Sequence, residues 1–164
     1  MTPRLRKFVL TTHIASSVGL LGAVAGFLAL AIAGLTSRDG EVVRSAYVAM
    51  NAIAELVIVP LMLAALVIGI IESLATRWGL VRYYWLIAKL VLTIIATVVL
   101  LLQMDTMGLL ARSAASASLS DAYFDQQVRM VVHSAGGLVV LLALVVLSVY
   151  KPPGMTRYGG AQVS

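Results

Sequence analysis

Residues 46–71 read AYVAMNAIAELVIVPLMLAALVIGII, and this stretch constrains the rest of the chain. It is long enough to cross a bilayer, whose hydrocarbon core takes about 20 helical residues. Yet Glu55 stands well inside it, and Pro60 follows little more than a turn later. A carboxylate in hydrocarbon is costly unless it is paired, protonated or wetted. The other apolar stretches are therefore read as the surroundings that make Glu55 tolerable.

Apolar residues make up 61% of the chain and charged residues 12%, about half the charged share of a soluble domain. Four apolar runs use most of the sequence. They predict an all-α membrane protein, an antiparallel up-down-up-down bundle of four transmembrane helices near 8–35, 41–74, 84–111 and 121–150. A short cytoplasmic tail, 151–164, completes a single integral membrane domain over 1–164. The basic start and Ala31-Ile32-Ala33 imitate a secretory signal, but the apolar run is about twice the length of a signal core. It is read as a retained first helix.

Ser37-Arg38-Asp39-Gly40 has the composition of a turn and helix start, and Gly79 that of a helix stop. Residues 113–120 form the expected third turn, with Ser120 or Asp121 capping the last helix. Pro152-Pro153-Gly154 forbids its continuation. Trp78, Tyr83, Tyr84 and Trp85, interleaved with Arg77 and Arg82, suit an interfacial aromatic belt. Arg4, Arg6, Lys7, Arg77, Arg82, Lys151 and Arg157 fall at the termini and in the second loop, which places both termini in the cytoplasm. The basic residues form no run and sit at helix ends, so nucleic acid is not an expected partner. The lipid bilayer is. With no cysteine, the chain has no disulfide, thiolate metal site or Cys nucleophile.

Counting helical rise from the span ends sorts the polar residues into two layers. His13 and Lys89 fall in the inner half, Glu55 and His133 in the outer half, the latter two about 3 Å apart in depth. Asn51 is one turn from Glu55 and shares its face. Glu55 is expected to face the bundle interior, and the sharper expectation is a coupled Glu55–His133 pair. Lys89 has two readings, a snorkelling interfacial cation or an inner polar group. Thr93 and Thr97 are expected to bond their own helix carbonyls. Pro60 is read as a kink or hinge. His133 with Gly136 and Gly137 leaves room for a flat ligand such as haem b, or marks close helix contact. On the first helix, Gly19, Gly22 and Gly26 form a small-residue seam opposite His13. That seam could meet a partner helix or a second copy as a homo-oligomer.

Three stretches, KFVLTTHIASSVGLLGAV, TRWGLVRYYWLIAKL and HSAGGLVVLL with VLSVYKPPGMTRYG, resemble a family of bacterial four-helix integral membrane proteins known only as a domain of unknown function. The resemblance implies four helices and a bacterial inner-membrane location, and no chemistry. A fainter similarity is to b-type cytochromes and copper-resistance membrane proteins, in which His13 and His133 would match histidines followed by small residues.

No Walker loop, zinc motif or Ser/His/Asp arrangement is present, so the reading leans away from an enzyme. Three functions stand. The first is a small inner-membrane protein whose polar layers are structural or bind a small ligand or proton. The second is a b-type haem protein using His13, His133 or both. The third is a proton-coupled transporter working as a homo-oligomer, with Glu55 titrating.

Overall fold

A computed structural model describes residues 2–75, 82–116 and 123–156. Each apolar run is helical, because in hydrocarbon every backbone N–H and C=O must find a partner within its own segment. Helix α1, Pro3–Thr36, opens where Thr2 accepts the Leu5 N–H at 3.4 Å and Pro3 occupies the first turn. That cap starts the helix ahead of the expected residue 8. Asp39 accepts the Glu41 N–H at 2.9 Å and so starts α2, Gly40–Ile53.

A π-turn, Ala54–Ile58, joins α2 to α3, Val59–Ala75, without a break in the span. Pro60 explains its place. The ring supplies no N–H and crowds the carbonyl of Leu56, so the preceding turn widens and the Val59 N–H bonds Ala54 instead. Helix α4 spans Tyr84–Ala115, running past the expected end at 111, and α5 spans Phe124–Tyr150. The third turn thus opens at Ser116. Gly79, Trp78, Ser120, Asp121 and Arg157 lie outside the described residues. Four spans (α1, α2–α3, α4 and α5) are long and apolar enough to cross a membrane, which makes this a multi-pass helical membrane protein.

Helix α1 packs against α2–α3 and α5, and α4 packs against the same two, so α2–α3 and α5 occupy opposite corners. Contacts rise along one helix as they fall along its neighbour. His13 meets Gly69, Gly19 meets Leu61, and Gly34 meets Tyr47. The core gathers Leu20, Phe27 and Ala31 of α1 with Tyr47, Met50, Ala54, Ile58 and Met62 of the second span, and Met107, Leu110 and Met130 of the last two. The inward track of the second span advances by fours from Met50 to Met62. A straight 3.6-residue helix would drift off that track, and the π-turn holds it on.

Beyond α5, the chain turns at Lys151, whose φ is 43°, and folds back along the start of α4. The Tyr84 N–H donates to Gly154 and the Thr156 N–H to Arg82, at 3.4 and 2.9 Å. Part of the expected tail is therefore an ordered clip. Among the described residues this is the one bridge of β type.

Gly34 is where packing is tightest. A Cβ there would lie 3.0 Å from the Tyr47 ring, which is 1% exposed and has no room to retreat. Gly34→Leu should cost about 1–3 kcal/mol in denaturant unfolding from micelles. Gly22→Leu on the open side of the same helix should be close to neutral.

Candidate functional site

A cavity of about 70 Å³ lies between α1, α3 and α4, in the half of the bundle where the described chain begins and ends. His13, Gly69, Ser73, Lys89 and Thr93 supply its polar and small walls. Gly69 is what admits His13, since a Cβ there would stand 3.3 Å from the imidazole Cε1. His13 Nδ1 is buried and has no hydrogen-bond partner. A buried polar nitrogen of this kind normally finds a partner, and a polar cavity beside it is where a water or ligand would supply one.

Lys89 reaches across the bundle. Its Nζ donates to Ser148 Oγ of α5 at 2.7 Å, and Ser148 donates in turn to the Leu144 carbonyl at 2.7 Å. The snorkelling expectation for Lys89 is thus replaced by an inward contact, because α5 presents a hydroxyl acceptor at the same level. Thr93 and Thr97 donate to the carbonyls of Lys89 and Thr93 at 2.8 and 2.7 Å, so these hydroxyl protons are spent within α4. Glu72 of α3 acts electrostatically on both His13 and Lys89, giving the two basic groups a nearby counter-charge.

The other expected layer is arranged differently. Glu55 is exposed on the outer surface of the second span, against the expectation that it faces the interior. The inward track passes through Ala54 and Ile58, and Glu55 lies one residue off it. Asn51 Nδ2 donates to Glu55 Oε1 at 3.1 Å, a bond within one helix, while Asn51 Oδ1 is buried beside Gly108 without a partner. His133 is exposed on α5. Its Nδ1 bonds the Arg129 carbonyl at 2.8 Å, and the Gln103 amide approaches its ring nitrogens at 3.4 Å. Glu55 and His133 therefore do not pair within one chain, because their helices stand at opposite corners.

His13 and His133 are also kept apart. His13 shares its cavity with Lys89, and His133 touches Gln103, so the α4 segment between Lys89 and Gln103 measures their separation at about 21 Å. One haem iron cannot take both as ligands. Gly136 and Gly137 face open space, as do Gly22 and Gly26 on the exterior of α1, whereas Gly19 of the same seam stands against Leu61 of α3. Among the described residues no group of three or more His, Asp or Glu side chains is placed to hold a metal ion.

Glu72, Ser148 and Gly69 belong to the site and escape a reading by span. Gly69, Glu72 and Ser73 recur at helical spacing, a pattern that would have put them on one face. Family models, curated proteins and solved structures offer no match to this chain.

The Lys89–Ser148 contact can be weighed directly. In a double-mutant cycle of Lys89→Met and Ser148→Ala, unfolding free energies should depart from additivity by about 1 kcal/mol, the scale of an interhelical hydrogen bond in a membrane. Additive losses would mean that the contact contributes nothing.

Proposed function

We propose that this chain is a bacterial inner-membrane protein, with up-down-up-down spans and both termini cytoplasmic, that binds a proton and a small polar ligand in the cavity between His13 and Lys89. Its Lys/Arg distribution supports the orientation. The observation that carries the binding reading is the buried, unpartnered Nδ1 of His13 beside a cavity that Lys89 also lines.

The donor set defines what fits. A Lys ammonium has three hydrogens, and Ser148 uses one of them. The imidazole of His13 can accept or donate, depending on its proton. Water or a small anion rich in acceptors meets these donors and suits a cavity of about 70 Å³.

The test is imidazole NMR on ¹⁵N-histidine-labelled protein in nanodiscs, with formate as the probe. Formate should shift His13 saturably and leave His133 in place. In Lys89→Met the His13 response should fall by about tenfold in affinity or vanish, the loss of one charge-assisted hydrogen bond. A response at His133 alone, or one indifferent to Lys89→Met, would overturn the reading. So would a Soret band in the purified protein.

A further inference from the structure

Glu55 and His133 are two polar groups exposed on the membrane-facing surface, on opposite corners of the bundle. Neither contributes to the cavity. Glu55 keeps a second carboxyl oxygen facing hydrocarbon, and His133 Nε2 meets only a long 3.4 Å amide contact, both costly there. Their depths can be compared with α4 as a ruler. Asn51 Oδ1 lies 3.8 Å from the Cβ position of Gly108, so Asn51 and Gly108 share a level. Glu55 is one turn from Asn51, about 6 Å toward the end that holds both termini. Gln103, which touches His133, is about 7.5 Å from Gly108 in the same direction. Glu55 and His133 thus stand at one depth, to about 2 Å.

We propose that Glu55 of one copy pairs with His133 and Gln103 of a second copy, so that the chain self-associates in the bilayer through opposite faces. Copies inserted in the same orientation keep the depth match automatically. The chemistry is also complementary. The Arg129 carbonyl can only accept, so His133 Nδ1 carries the hydrogen in that 2.8 Å bond, and the Nε2 lone pair meets only the Gln103 amide at 3.4 Å, a long contact that a stronger donor displaces. Glu55 Oε1 already accepts from Asn51. Its other oxygen, protonated, donates to Nε2 of the second copy, and the Gln103 amide donates to the same carboxyl group. No net charge is created in hydrocarbon, and the polar groups of both faces are satisfied together. Gly136, one turn from His133, is exposed with nothing within 4 Å of its Cβ position, which lets a second helix approach closely. The contact is heterologous, joining different faces of the two copies.

Because the chain lacks cysteine, introduced thiols report cleanly. Leu56 and Val132, 75% and 61% exposed, flank the two partners. Leu56→Cys and Val132→Cys proteins are reconstituted together in one orientation and oxidised. A dimer-sized product should form in the mixture and not with either variant alone. Adding Glu55→Leu to the Leu56→Cys protein should lower its yield about tenfold, the equivalent of about one interhelical hydrogen bond, while Glu55→Gln should keep it. Self-cross-linking of Leu56→Cys would reveal a symmetric contact and overturn the proposal. No product from the mixture, or a yield indifferent to Glu55→Leu, would overturn it as well.

Discussion

Hydrocarbon offers no hydrogen bonds, and that one constraint orders this molecule. It makes each span a helix, because only a helix satisfies the backbone within its own segment. It also sorts the side chains. Thr93, Thr97 and Ser134 donate to carbonyls one turn back, the cheapest solution open to a hydroxyl. Lys89 has no such local solution and crosses to Ser148. His13 Nδ1 finds neither, and it is there that the bundle leaves a cavity rather than packing shut.

Small backbone irregularities decide which polar groups end up where. Pro60 widens the turn before it, and the widened turn keeps Ala54, Ile58 and Met62 directed at the core. The same phase puts Glu55 on the outside. Gly69 allows an imidazole to lie against α3, and Gly34 allows the Tyr47 ring to bury completely. The clip formed by Gly154 and Thr156 then ties the end of α5 to the start of α4, on the same end of the bundle as the cavity. Two different polar regions result, one between the helices and one turned outward.

The spans were legible because their signal is additive: twenty apolar residues outweigh any local exception. Helix ends were legible where a side chain caps them, as at Asp39, and less so at Thr2 and Ala115, where capping or continuation lies beyond the apolar run. Depth was legible too. Counting rise put His13 with Lys89, and both line one cavity. The direction a side chain faces was harder. Glu55 was assigned inward because a buried acid needs a partner. A π-turn that shifts the helix phase, and a partner on the same helix in Asn51, leave it outside instead. Glu72 sits near a helix end, where a charge ordinarily reaches water, so its position in the sequence assigns it no role. Ser148 was hidden by its ordinariness, since only the position of Lys89 gives that hydroxyl a role.

The central claim is that the His13–Lys89 cavity is a polar, ligand-accessible space inside an otherwise apolar bundle. Water-edited solid-state NMR of the protein in bilayers tests it most directly. Magnetisation from water should reach the His13 imidazole and the Lys89 Nζ much faster than the methyl groups of Leu20 and Ile58. Transfer to His13 and Lys89 as slow as to those core methyls would mean a dry, sealed interior and would contradict the account.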